Sequence, residues 1–181
     1  MGTPKTIASE EVHAAIERLA TGISTRHPDR KDLLLLGIAN GGIELACRLA
    51  RRLDARAGTL DISFHRDDIG RHPIPKEFVA SHIPADVHGA MVVLVDDVLF
   101  SGRTVKAALD ELFDHGRPAK VELAVLADRG GRLLPVAADY CGLQLAASPV
   151  EKVVVRLDTT NPKRDTIRIE PAPALGLKPA V

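Results

Sequence analysis

Aromatic residues are scarce in this chain: four Phe, one Tyr and no Trp in 181 residues. Few platforms are therefore available for stacking unpaired bases. A charge excess is missing too, with 24 basic and 24 acidic residues and a net charge of +0. No global basic field draws the chain onto nucleic acid, so RNA binding would need a local patch. Only two cysteines are present, Cys47 and Cys141. They lie far apart and without metal-ligand spacing, which fits reduced thiols in a cytoplasmic protein. No apolar run approaches the ~18 residues of a membrane span, and the N-terminus carries no apolar signal core. A cytoplasmic protein with no membrane partner is expected. Internal repeats and domain linkers are also absent. What remains is one soluble domain over 1–181, long enough for a sizeable core, with 45% hydrophobic and 27% charged residues.

The most informative stretch runs from Val92 to Thr104. Val92, Val93, Leu94 and Val95 form a continuous apolar run, as a fully buried parallel strand does. Asp96 and Asp97 follow, then Val98, Leu99, Phe100, Ser101, Gly102, Arg103 and Thr104. Val105, Ala108, Leu109 and Leu112 then recur at helical spacing. This predicts a strand–loop–helix unit with its polar residues at the strand's carboxyl end, where open α/β sheets bind ligands. A helix N-terminus presents unpaired N–H groups to an anion. Gly102 allows close backbone approach, Ser101 and Thr104 offer hydroxyls, and Thr104 could equally cap the helix. Asp96 and Asp97 would repel a phosphate. They suit a neighbouring diol, or a Mg²⁺ carried by the substrate. Two acids beside a phosphate cradle point to a ribose 5-phosphate.

Along the rest of the chain, Ser9-Glu10-Glu11 reads as a capped helix start. Val12, Ile16, Leu19, Ala20 and Ile23 give its apolar stripe, and His27-Pro28-Asp29 its end. Leu33 to Leu36 form a second buried strand leading through Gly37, Ala39, Asn40, Gly41 and Gly42 into a helix from Ile43 to about Leu53. That loop could face a second anion on the same sheet edge. Leu60, Ile62 and Phe64 alternate with polar residues, as in a strand with one wet face. Residues 65–88 are polar and aperiodic, long for a compact domain, and are expected to be a functional flap. Their histidines (His65, His72, His82, His88) lack zinc-site spacing. Val121 to Ala127 form a further strand, ending in the polar loop Asp128-Arg129-Gly130-Gly131-Arg132. Short strands are expected at 136–140 and 153–157, an edge strand at 166–169, and a loose tail over 171–181.

The string Val-Leu-Val-Asp-Asp-Val-Leu-Phe-Ser-Gly-Arg-Thr resembles the PRPP-binding signature of type I phosphoribosyltransferases. Its Asp-Asp-Val-Leu-Phe form is similar to the PyrR family, pyrimidine operon attenuators that are also uracil phosphoribosyltransferases. Further matches are Leu60 to Asp68, Gly116-Arg117-Pro118-Ala119, Leu126 to Gly130 and Leu134-Pro135. The resemblance runs from about Ile7 to Glu170. It implies an α/β fold with a mainly parallel sheet flanked by helices, a flexible flap and a small hood. It implies transfer of the phosphoribosyl group of PRPP to uracil, giving UMP and pyrophosphate. Asp96 and Asp97 would hold the ribose hydroxyls, and Val98 to Thr104 the 5-phosphate. Ala39, Asn40, Gly41 and Gly42 would face pyrophosphate, Arg66 would meet its charge, and Ala127, Asp128 and Arg129 would read uracil. Mg²⁺ would arrive with PRPP, touching Asp96 and Asp97 through water at most, and the chain would form a homo-oligomer. The alternative implied by the family is a uridine-nucleotide- or PRPP-sensing RNA regulator with little catalysis. Two departures stand out. Ala39 and Gly41 replace the family's usual Lys and Arg in the pyrophosphate loop. On the RNA face, Glu17, Thr21, Gly131, Ala137 and Leu143 stand in place of basic and polar residues, while Arg132 is kept.

Overall fold

A computed structural model describes residues 5–29, 33–65 and 80–172. Five parallel strands form the main sheet: β2 (Leu33–Ile38), β3 (Arg56–Leu60), β4 (Met91–Leu99), β5 (Lys120–Asp128) and β6 (Tyr140–Gln144), in the order β3-β2-β4-β5-β6. Strand alternation divides the core between the two faces. Leu33, Leu35, Val93, Val95, Ala124 and Leu126 pack with helices α1 (Ser9–Arg26) and α2 (Gly41–Leu53). Leu34, Leu36, Val92, Leu94, Leu123 and Val125 pack with α3 (Arg103–Asp114) on the other side. Because both faces are covered, the central strands are apolar throughout; every residue of β2 is buried.

A second, antiparallel sheet joins β1 (Lys5–Ile7), β8 (Thr166–Pro171) and β7 (Glu151–Arg156), in the order β1-β8-β7. It is fastened to the helices by Asp165, which is fully buried and pairs with Arg48 of α2 and with His13 Nε2 of α1 at 2.9 Å. His13 is thus a satisfied structural histidine. Arg48 also meets Glu44 at 2.6 Å and donates to the carbonyl of Asp158 at 2.7 Å.

Several boundaries differ from the sequence reading. The expected strand over 59–64 ends at Leu60. Asp61 turns the chain there, its Oδ1 accepting from both the N–H and the hydroxyl of Ser63 at 3.0 and 2.6 Å. The strand expected at 136–140 begins only at Tyr140, because Val136 is held in a loop by Leu134 O and Arg132 Nε. The segment at 166–169 is not an edge: β8 is the middle strand of its sheet. Ala8, not Ser9, is the cap position of α1, and it makes no side-chain bond. The first two residues of the expected tail are paired: Pro171 closes β8, and the Ala172 N–H donates to Val150 O at 2.8 Å. Of the expected flap, His82 exchanges both backbone bonds with Thr59, and Val87 is buried; residues 80–88 therefore belong to the body. Arg66 and the remainder, 66–79, lie outside the described residues, as do 173–181.

Candidate active site

The carboxyl ends of β2, β4 and β5 converge. Pairing of Gly37 with Val95 sets the two glycine-bearing strand ends side by side, and Val98 and Leu99 pair with Ala127 and Asp128. The strand β4 continues through Asp96 and Asp97 to Leu99, four residues beyond the end of the apolar run at Val95. The loop after it turns at Gly102, whose φ of +91° favours glycine. Helix α3 then begins at Arg103 with no side-chain cap at its N-cap position. Thr104 lies inside the first turn and so is not the cap. Ser101 Oγ accepts from Arg103 N at 3.3 Å, and the first helical bond runs from Lys106 N to Gly102 O at 3.0 Å. The opposite side of the loop is anchored. Leu133 N and Leu134 N donate to Ser101 O, and Arg132 Nη1 donates to Phe100 O at 2.8 Å. This leaves a braced turn leading into a helix start with no side-chain cap from its N-cap residue, an arrangement that can seat an anion.

The loop before α2 abuts the acids. Ala39 N donates to Leu60 O at 3.0 Å, and the Ala39–Asn40 peptide is cis. A Cβ added to Gly42 would lie 1.9 Å from Val95 O, and one added to Gly41 would lie 2.5 Å from Asp97 Cγ. No side chain other than hydrogen fits at Gly42, so the amino end of α2 rests directly on the end of β4. Asn40 makes no side-chain cap bond, leaving this second helix start open as well.

Asp96 is only 6% exposed, and Asp97 is half-buried. The Asp96 Oδ1 accepts from Asp97 N at 3.0 Å. Burial, and secondarily the charge of Asp97, pushes the Asp96 carboxyl well above its ordinary range. Burial raises Asp97 as well. Among the described residues no Lys, Arg or His forms an ion pair with either acid. Two adjacent buried carboxylates without a cation are costly unless a proton, hydroxyls or a metal ion relieves them. As hard oxygen donors they fit a Mg²⁺ or a sugar diol.

At the β5 end, Asp128 is held in place. Its Oδ2 meets Arg132 Nη2 at 2.5 Å, and its Oδ1 accepts from Gly130 N at 2.9 Å. Burial raises its pKa, but these contacts outweigh burial and leave it lowered. The Arg129 side chain turns away from the acids. It donates to Glu151 O at 2.7 Å and Ser148 O at 3.0 Å, and it stacks 4.2 Å from the Phe100 ring centroid. Arg129 thus ties the β5 loop and the β4 loop to the small sheet. A cavity of about 480 Å³ lies beside it, lined by Asp128, Arg129, Gly130, Gln144, Leu145 and Ala146. The last three escaped the sequence reading, because only the β5–β6 pairing brings them to this edge. So did the roles of Arg132 and Arg129 in bracing the loops, since their acceptors are mostly backbone carbonyls that no motif marks. Ala39 to Gly42 and Val98 to Thr104 come together with the acids, Ala127 to Arg129 sit one strand away, and Arg66 lies outside the described residues.

Comparison with known proteins agrees with this geometry. Residues 7–159 match the family model described as the phosphoribosyl transferase domain. The chain is 44% identical over 164 residues to the Bifunctional protein PyrR of Roseiflexus sp. (strain RS-1), covering 87% of this chain and 89% of that one. It is 46% identical over 177 residues to the Bifunctional protein PyrR of Streptomyces coelicolor, covering 94% and 88%. Among solved structures, the hypoxanthine phosphoribosyltransferase of Trypanosoma cruzi shares the fold with a TM-score of 0.65 at 21% identity, covering 91% of this chain and 95% of that one. No helix among the described residues is long and apolar enough to cross a membrane. The chain belongs to the phosphoribosyltransferase family and, within it, to the PyrR proteins.

Proposed function

We propose that this protein transfers the phosphoribosyl group of PRPP to uracil, forming UMP and pyrophosphate. The observation that carries the reading is the meeting, at one sheet edge, of an α3 start without a side-chain cap at its N-cap residue, a buried acid pair that no cation among the described residues meets, and a side-chain-free α2 start. Each matches one part of PRPP. The turn Val98 to Thr104 seats the 5-phosphate through backbone N–H groups and the Ser101 and Thr104 hydroxyls. Asp96 and Asp97 accept hydrogen bonds from the ribose hydroxyls. Gly41 and Gly42 let the pyrophosphate approach the amino end of α2. The cavity beside Asp128 to Gly130 takes the flat base.

In the reaction, the N1 lone pair of uracil forms a bond to the ribose C1, and the bond from C1 to the pyrophosphate oxygen breaks with its electrons leaving on pyrophosphate. The N1 proton is lost to solvent or to pyrophosphate. Mg²⁺, arriving with PRPP, would supply charge neutralisation to the leaving group, and Asp96 and Asp97 would face it through water. The protein's own part is positioning and electrostatics. The acid pair also favours positive charge developing on the sugar ring. No covalent nucleophile is required. Because Ala39 and Gly41 carry no positive charge, leaving-group stabilisation falls to backbone N–H groups and to cations outside this loop. Arg66 is our candidate, by resemblance.

RNA attenuation is the weaker reading. Glu17 of α1 pairs with Arg52 of α2 at 2.6 Å. The side chain of Arg18 donates to Gly142 O, and that of Arg132 is committed to Asp128 and to backbone carbonyls. Arg18 and Arg132 are thus already engaged within the chain, and neutralisation of phosphate by basic side chains dominates the affinity of proteins for nucleic acid. Incubation of the protein with labelled uracil, PRPP and Mg²⁺ should yield UMP. Absence of UMP while the nucleotide still binds would exclude catalysis and favour a sensor. A uridine-nucleotide-dependent RNA titration at low and moderate salt should show no specific binding.

A further inference from the structure

A second cluster of ligand-type atoms lies away from the acid pair. His65 follows the Asp61–Ser63 turn, while Glu111 and Asp114 lie in the last turn of α3. Nε2 of His65 is 3.2 Å from Glu111 Oε2 and 3.2 Å from Asp114 Oδ2. All three atoms lie within 4.8 Å of one another.

A protonated histidine bridging two carboxylates is the ordinary explanation, and the geometry fits it poorly. One Nε2 carries one proton, which points along one line and serves one oxygen well. Charge-assisted N–H···O bonds also close to about 2.7–2.9 Å. Neighbouring donors around a tetrahedral metal centre, with bonds of about 2.0–2.1 Å, stand about 3.3 Å apart. The two 3.2 Å separations match that edge. The central ligand is also oriented in advance, as outer partners orient metal-binding carboxylates. Glu111 Oε1 accepts from Ser81 Oγ at 2.7 Å and meets His115 Nε2 at 3.0 Å, so Oε2 is turned toward His65.

We propose that His65, Glu111 and Asp114 form a site for a divalent transition cation of the Zn²⁺ class, with water completing a tetrahedron. One imidazole and two carboxylates suit that class. Ca²⁺ takes six or more oxygens, and Mg²⁺ demands a near-ideal octahedron of them. The site is separate from the PRPP end. Arg103 and Asp114 are the first and last residues of α3, about 16 Å apart along the axis at 1.5 Å per residue. A bound cation would tie the chain at His65 to the far end of the helix whose first turn forms the phosphate cradle.

The test is a metal titration of the untagged, chelator-treated full chain, by equilibrium dialysis with Zn²⁺ and by visible absorption with Co²⁺. The wild type should bind one Zn²⁺ per chain at this site and develop Co²⁺ absorption of a low-coordinate N/O centre. His65→Ala and Asp114→Asn should each weaken binding by at least about tenfold, the scale on which loss of even an outer partner of a metal ligand acts, whereas Asp97→Asn should bind as the wild type does. Asp114 is largely exposed, at 70% of its side chain, so its variant reports even if His65→Ala folds poorly. No stoichiometric binding in the wild type would overturn the proposal. So would undiminished binding in Asp114→Asn, or loss of binding in Asp97→Asn alone.

Discussion

Two groups of buried carboxylate stand at opposite ends of the same parallel sheet, and they are treated in opposite ways. Glu122, near the amino end of β5, is 2% exposed and surrounded by partners. Lys120 Nζ lies at 2.6 Å, the Tyr140 hydroxyl at 2.5 Å and His27 Nε2 at 2.7 Å. Burial would raise its pKa, but Lys120, Tyr140 and His27 bring it down to about 2. Asp96 and Asp97, at the carboxyl end of β4, are driven upward by burial and, for Asp96, by the neighbouring charge. A chain that satisfies one buried acid so fully can satisfy another. No cation among the described residues meets the second pair, which agrees with the ligand-binding role proposed for it. The first end is satisfied within the fold; for the second, a ligand is proposed.

The greatest effect should come from closing the contact that brings the pair under α2. In Gly42→Ala the new Cβ meets the backbone oxygen of Val95, which cannot swing aside as a side chain would. The amino end of α2 must lift from β4, at about 1–3 kcal/mol of overpacking, or roughly 2–12 °C in melting temperature. Displacement of the pyrophosphate loop by even ~1 Å should cost about a hundredfold in kcat/KM. Thermal melts and UMP formation measure both; a fully active, unshifted variant would show that the two loops do not form one site.

Next comes Asp97→Asn, which removes charge without removing volume. Use of PRPP should fall about a hundredfold or more, as for loss of a preorganised electrostatic contact. Stability should move the other way. The folded pKa of each acid lies above its ordinary value of 3.8, so the folded chain favours the protonated form. The resulting cost is present in full above the raised pKa and is relieved as pH falls toward 3.8. The ligand-free variant should therefore melt at or above the wild type at neutral pH. A marked drop in melting temperature would mean that the pair is structural, like Glu122.

Glu122→Gln is the reverse experiment. Glu122's folded pKa of about 2 lies below its ordinary 4.5, so the folded chain favours the ionised form. That stability is present in full above 4.5 and is lost as pH falls toward 2. Replacing the acid should cost about 1–3 kcal/mol, flatten the acid-unfolding curve between those pH values, and leave kcat/KM of the folded enzyme within about twofold. A large catalytic loss would erase the division of labour between the two ends.

Much of the binding edge was legible in the sequence because its signals are local. An apolar run, two acids, a glycine and a helical period occupy consecutive positions from Val92 to Leu112. The small sheet's fastening was not, since Asp165 and its partner Arg48 lie 117 positions apart. Nor was the requirement for glycine at position 42, set by the oxygen of Val95 on a different strand. The alternation at 59–64 was genuine, yet Asp61 bonded to its own neighbour two residues on and ended the strand. Periodicity registers a preference for extended chain, but a competing local hydrogen bond outweighs it.

A third kind of carboxylate completes the comparison. Glu17 has a cation, Arg52 Nε at 2.6 Å, but it is 61% exposed and its partner 34%. Here the distance is as short as that from Lys120 to Glu122, so any difference in consequence comes from solvent rather than from geometry. Water screens the pair, and holding two long side chains in one arrangement costs rotamer entropy. Glu17→Ala should therefore change stability by under about 0.5 kcal/mol, measured by denaturant unfolding, and leave UMP formation unaltered. The same substitution frees Arg52 on the face where the family's resemblance puts RNA. If uridine-nucleotide-dependent RNA binding then emerged, Glu17 would be the residue that excludes it. If no binding emerged, the replaced basic and polar residues at positions 21, 131, 137 and 143 would account for the loss without it.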